Sequence, residues 1–328
     1  MKRSRLSICF LFLAMAVGCF GFQNSSFAAE RYPEKPIEVI VPFPPGGPTD
    51  IGIRIISDQL AKVLKNPVVV INKGGGSAAV GTSLVVGAKK DGYTLLAGTS
   101  TPIVVIPVTN PKEVTYDSLR DLEPVAHCIS LVTCMTVRQD SRFNTFEDLE
   151  KHVKANPGKV SVGVPGMTHP YYLYQILKDL GLDMNLVIAK GDPQNVSYLL
   201  GGHVEAIMEH MGITAPYLRE GKMKPIVVYH NKRVPSFPNM PSIAEKGYPR
   251  AALLFFIGFF APKGTPQPIV DVLASALEEA TKDPEVVAKL GKLEYPVDFK
   301  RGPEFRALIE EHQKIIQDIA TKANIIQK

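Results

Sequence analysis

The sequence predicts a two-lobed α/β protein, each lobe a mainly parallel sheet covered by helices, with two extended strands crossing between the lobes. Three observations predict it. Short β-branched runs alternate with longer amphipathic stretches, which is the spacing of βαβ units. The alternation occurs twice, once in each half of the chain. Two long apolar segments without helical period, 124–137 and 253–260, flank the second series. The chain would leave the first lobe, build the second as an insertion and return, giving lobe 1 from residues 29–130 and 251–328 and lobe 2 from 131–250. Two lobes on two crossings make a hinge with a cleft between them. A single continuous sheet is the competing arrangement.

In the first series, Ile37–Val41 reads as a strand, 51–64 as a helix, 68–71 as a strand, 77–88 as a helix and 94–97 as a strand. Such an order implies a parallel sheet with both faces covered. The second series places helices at Phe146–Ala155, 171–180 and 193–200, and strands at 160–164, 186–189, 205–208 and 226–229. Three helices close the chain, at 268–281, 284–290 and 303–323. Pro284 and Pro303 suit first helical turns, where the missing N–H is not needed.

The N-terminus reads as an address. Lys2, Arg3 and Arg5 precede an apolar run from Leu6 to Phe22, and Ser26-Phe27-Ala28-Ala29 supplies small residues for cleavage after Ala28 or Ala29. Residues 1–28 are therefore expected to be a signal peptide that directs export. A retained anchor is the plainer competitor, since the run approaches the lower limit of a spanning helix. Lipidation at Cys19 ranks second, because Ala16-Val17-Gly18-Cys19 only loosely resembles a lipobox.

The 328 residues are 45% hydrophobic and 21% charged, enough to bury a sizeable core and too apolar for a disordered chain. Net charge is +5, and three of the cations leave with the expected signal. No basic block interleaved with aromatics is present, so nucleic acid is excluded as a partner and a membrane surface is not implied. Of the four cysteines, Cys128 and Cys134 would remain. In an extended segment six positions separate sulfurs by about 20 Å, so both read as buried free thiols.

The most informative stretch is Val41-Pro-Phe-Pro-Pro-Gly-Gly-Pro-Thr-Asp50, between a strand and a helix. Its glycines admit a ligand close to the backbone, and helix N-terminal amides attract an anion. The structural reading is a turn with Thr49 or Asp50 as N-cap. Gly74-Gly75-Gly76-Ser77-Ala78-Ala79 matches a dinucleotide loop, yet Ala97-Gly98-Thr99-Ser100-Thr101 lacks the acid that would hold a ribose, so no cofactor is expected. Three more strand-end loops carry small polar groups: Thr99, Ser100 and Thr101; Gly166, Thr168 and His169; Gly191 and Asp192. In parallel sheets such loops converge on one site beyond the carboxyl ends of the strands. Asp192-Pro193 also reads as N-cap plus first-turn proline.

No Gly-x-Ser-x-Gly, His-Glu-x-x-His or Gly-x-x-x-x-Gly-Lys-Ser/Thr motif occurs, which argues against an enzyme. His203, Glu205, Glu209 and His210 match no zinc spacing and read as solvated polar residues, so no metal is expected.

The residues resemble the Bug proteins, the TctC-type periplasmic receptors of tripartite tricarboxylate transporters. The motifs are Tyr32-Pro-x-x-Pro36, the Val41–Asp50 stretch, Asn72-Lys-Gly-Gly-Gly-Ser77, Asp91-Gly-Tyr-Thr-Leu-Leu96, Leu199-Leu-Gly-Gly-His-Val-Glu205, Pro241-Ser-Ile-Ala-Glu245 and Phe260-Ala-Pro-Lys-Gly-Thr-Pro266. They run over essentially the whole mature chain. The resemblance implies a venus-flytrap fold, a periplasmic location, a monomer, and capture of a small organic carboxylate, aromatic or dicarboxylic, for delivery to membrane permease subunits. Carried over by position, it implies ligand contacts from Phe43, Pro45, Gly46, Gly47, Thr49 and Asp50, then Thr99, Ser100 and Thr101, then Gly166, Thr168, His169 and Tyr171, then Gly191 and Asp192. Two loops depart from the usual pattern: Tyr171 stands where a histidine is common, and Lys190-Gly191-Asp192 replaces Lys-Gly-Gly or Lys-Gly-Ser. Those departures fall at the distal end of the ligand, where His169, Tyr171, Tyr172 and Asp192 are expected to set selectivity. An exported hydrolase and a ligand-sensing co-receptor without transport are the competing functions.

Overall fold

The structure is a computed structural model that describes residues 32–166, 169–252 and 255–322. The expected signal at 1–28, with its cleavage point and Cys19, lies outside the described residues. The chain opens with β1 (Ile37–Val41), α1 (Pro48–Leu64), β2 (Val68–Asn72), α2 (Ala79–Val86) and β3 (Thr94–Thr99). β1 pairs parallel with both β2 and β3. α1 buries Ile53, Ile56 and Leu60 at helical spacing, the stripe that fixes it on the sheet.

α2 starts later than the sequence predicts. Gly76–Ala78 forms a tight 3-10 turn in which Ser77 and Ala78 take left-handed backbone angles, φ 52° and 76°. A regular helix cannot pass through two such residues, so it begins at Ala79.

β4 (Leu122–Leu131) and β5 (Thr133–Arg138) form the first crossing, and the chain changes sheet at Val132. The second series follows as α3 (Phe146–Ala155), β6 (Ser161–Pro165), α4 (His169–Asp179), β7 (Asn185–Ala189), α5 (Asp192–Leu200), β8 (Ala206–His210), α6 (Met211–Arg219) and β9 (Met223–Val228). This second sheet has the order β7-β6-β8-β5-β9. β6 runs parallel with β7 and β8, whereas β5 runs antiparallel to β8 and β9. α6 was not legible as a helix, because Pro216 interrupts its pattern.

The chain returns through irregular residues after β9 and enters β10 (Phe255–Pro262), followed by α7 (Gln267–Lys282), α8 (Pro284–Lys292), β11 (Val297–Arg301) and α9 (Gly302–Lys322). The first sheet is then ordered β11-β4-β10-β3-β1-β2, with β10 antiparallel to both β3 and β4. Both sheets are thus mixed: the alternating series supplies parallel strands, and the crossings supply antiparallel ones. The extended segment expected at 253–260 is β10, which lies in the first sheet and is reached through the irregular residues after β9.

α9 drives Phe305, Ile309, Ile316 and Ile319 into the first lobe. The Phe305 ring lies over Gly258, where an added Cβ would come within 2.4 Å of it. Glycine is therefore required there for α9 to pack. Cys128 and Cys134 are buried free thiols.

Candidate ligand-binding site

The β1–α1 loop faces a cavity of about 720 Å³ between the two sheets. One wall is Phe43, Pro44, Pro45, Gly46, Gly47, Pro48 and Thr49, joined by Thr99, Ser100 and Thr101 from the end of β3. The facing wall is Pro165 at the end of β6 and Gly166 after it, Gly191, Asp192 and Pro193 after β7, and His210 at the end of β8. Leu131, Phe255 and Phe256, beside the two crossings, close the floor. The carboxyl ends of five strands thus meet in one cleft, the place where α/β folds hold ligands.

Gly47 caps α1 and Pro48 occupies its first turn, so neither Thr49 nor Asp50 is the N-cap. Gly46 takes φ +81°, a left-handed turn that glycine tolerates without strain, and it points the loop into the cleft. Asp50 does not line the cavity. Its side chain lies beneath the loop, accepting the Gly46 amide at 2.8 Å, Asn72 Nδ2 at 2.8 Å and Arg54 Nε at 3.0 Å. Burial would raise its pKa, but the bonds from Arg54, Gly46 and Asn72 outweigh that and hold the carboxyl below its ordinary range. Asn72 Nδ2 also donates to the Phe43 carbonyl at 3.1 Å, so the two side chains brace both ends of the turn. The Gly74 turn packs beside Phe43 and Pro44.

At the end of β3, the Thr99 hydroxyl is buried without a protein partner, and Ser100 Oγ accepts the Phe256 amide at 3.1 Å. A buried hydroxyl left unpaired beside a cavity is a donor available to a ligand. On the facing wall, Gly191 is the N-cap of α5 and Asp192 its first residue, which displaces the expected Asp192 cap by one position. Thr168, and the side chains of His169 and Tyr171, lie outside the described residues. Tyr172 is fully buried, its ring packed edge-on against Phe255 with centroids 4.6 Å apart, so it supports the floor of the cleft and does not reach a ligand.

Glu209 and His210 are buried and not solvated as their polar sequence context suggests. Polar residues at a strand end resemble surface in a sequence, whereas β8 is the central strand of its sheet. Glu209 accepts the His210 amide at 2.9 Å and Asn195 Nδ2 at 3.1 Å. Burial and the Asp192 carboxylate push Glu209 up to about 8, and burial also raises Asp192. Burial lowers His210 to about 4, so its imidazole is neutral, with its ring edge-on to Phe255 at 5.2 Å. His210, Leu131, Phe255 and Phe256 also line the cleft, and no motif in the sequence marks them. Among the described residues no group of three His, Cys, Asp or Glu side chains is placed to hold a metal. No helix among them is long and apolar enough to cross a membrane.

A family model described as the tripartite tricarboxylate transporter family receptor, TctC, matches residues 53–326. Protein BugT of Bordetella pertussis is 32% identical over 262 residues, 79% of this chain and 80% of that protein. A solved structure described as a periplasmic transporter superposes with TM-score 0.76 at 33% identity, covering 90% of this chain and 99% of its own. MatC of Rhodopseudomonas palustris, solved with bound malate, superposes with TM-score 0.72 at 27% identity, over 88% of this chain and 99% of that one. A cleft built from loop amides and hydroxyls at strand ends, on a fold shared with these receptors, places the chain in its family: it belongs to the TctC receptors of tripartite tricarboxylate transporters.

Proposed function

We propose that the protein is an exported receptor that captures a small organic carboxylate between its lobes and delivers it to the permease subunits of a membrane transporter. The observation that carries this reading is the wall formed by Gly46, Gly47, Thr49, Thr99 and Thr101. Backbone amides and hydroxyls at the start of α1 meet an anion with oriented partial charges in a water-poor cleft, without needing a cationic side chain. Capture without turnover agrees with a receptor family and with the lack of a nucleophile and base in the sequence. The boundary between the lobes follows the change of sheet at Val132 and the return into β10.

Of the two ligand bodies expected, the floor of Leu131, Phe255 and Phe256 favours an apolar or aromatic one. The second charge of a dicarboxylic acid would face Asp192. The experiment is a thermal-shift screen of the mature chain against mono-, di- and tricarboxylic and aromatic acids. A ligand at 100 times its dissociation constant adds about 2.7 kcal/mol of stability. A screen in which no carboxylate raises the melting temperature sinks the reading.

A further inference from the structure

We propose that Asp192 makes this cleft selective for a carboxylate that also carries an ammonium nitrogen several bonds away, held between the β1–α1 loop and the start of α5. The inference rests on the carboxylate reading and names the ligand's other end.

The cleft is dipolar. One wall presents donors: the Gly47 and Thr49 amides at the start of α1, the Gly46 amide being taken by Asp50, and the Thr99 hydroxyl, which is 7% exposed and has no protein partner. On the other wall is Asp192, and among the described residues no lysine or arginine lines the cavity or pairs with it. The ionisable groups that feel its charge are Glu209 on β8 and Tyr295 ahead of β11, with His210 also on that wall, and none of them is cationic at neutral pH: burial pushes Tyr295 up and His210 down. Glu209 is fully buried and does not line the cavity, which leaves Asp192 as the member of the acid pair that faces the ligand.

A second ionised carboxylate at that wall would meet a like charge in a place with little water, and like charges there repel strongly. A methyl end would leave Asp192 desolvated and unpaired. An ammonium end satisfies it with a charge-assisted bond, so the three ends should be ranked by the cleft. Both ends of such a ligand touch different lobes, which is the condition for binding to favour closure.

The test uses the mature full-length chain at pH 8 and three matched sets of four to six carbons: unsubstituted acids, ω-amino acids and α,ω-dicarboxylic acids. Calorimetry should show the ω-amino acid of the best length binding about tenfold tighter than the unsubstituted acid, with the dicarboxylate weakest. In Asp192→Asn, which keeps the side chain's size, that preference should shrink to within about twofold and the dicarboxylate should gain. A folded Asp192→Asn that retains the preference, or a wild type that prefers dicarboxylates, overturns the inference alone. If no acid of any set binds, the carboxylate reading falls and this inference falls with it.

Discussion

The carboxylate of Asp50 accepts the amide of Gly46 at 2.8 Å, and so the loop that faces the cleft is braced by a residue that never enters it. Arg54 and Asn72 complete the brace, with Arg54 Nη2 donating to Asn72 Oδ1 at 2.8 Å. Replacing Asp50 by alanine leaves the Gly46 amide and Asn72 Nδ2 without that acceptor, at a cost of about 1–3 kcal/mol. We expect a lower melting temperature and a ligand affinity weakened through loop disorder. Binding unchanged in Asp50→Ala would show that the loop keeps its shape without the brace.

Gly47 offers a cleaner probe of the same wall. A Cβ there would meet only the Pro44 carbonyl, at 3.8 Å, so a side chain is tolerated by the fold and projects beside the cavity. Gly47→Val should fold normally and lose about tenfold in affinity, about 1.4 kcal/mol. Full affinity in a folded variant would remove this loop from the site.

The alternation of strands and helices was legible because hydrophobic periodicity records it directly, and α3 was read to the residue. Its Thr145 side chain accepts the Asp148 amide while Asp148 reaches back to Thr145, a capping box that sequence spells out. The loops that build the cleft were legible too, since each follows a strand. Other features depend on tertiary neighbours. β11, Val-Asp-Phe-Lys-Arg, is a partly exposed edge strand with no apolar run to announce it. The direction of Asp50 is set by Arg54 and Asn72, and the burial of Glu209 by the strands on either side of β8.

Stability should fall as pH rises from about 6.5 to 8. Glu209, raised to about 8 from an ordinary 4.5, holds a proton in the folded state that the unfolded chain has already lost. Between those values the folded state binds more protons, and stability declines with pH. His127, His210 and His312, lowered by burial to about 4 from 6.5, act in the opposite direction, adding stability as pH rises from about 4 to 6.5. Only above 6.5 does Glu209 act without that opposition. Denaturant melts at pH 6.5 and 8 should show the loss in the wild type and a flatter response in Glu209→Gln. Equal slopes in the two proteins would mean that Glu209 ionises as an ordinary carboxyl.

Glu294 ties the two sheets' helices together at one edge of the molecule. It is 5% exposed and accepts hydrogen bonds from Arg219, at the end of α6, and from Ser236, on the returning segment. Next to it, a Cβ at Gly212 would come within 2.6 Å of the Leu293 carbonyl, so the start of α6 already abuts the chain ahead of β11. Closure about the crossings near Val132 and β10 must therefore proceed with this edge in place, while the walls of the cleft approach each other. Small-angle scattering should show a smaller radius of gyration when a verified ligand is added. Glu294→Ala leaves Arg219 without this partner and Ser236 without its acceptor, so the ligand-free protein should sample wider openings and its radius of gyration should exceed the wild type's. Ligand would then have more opening to overcome, and affinity should fall although Glu294 does not line the cleft. Identical ligand-free curves for the two proteins would show that the edge holds by packing at Gly212 alone, and an unchanged wild-type curve at saturation would mean that the cleft is preformed.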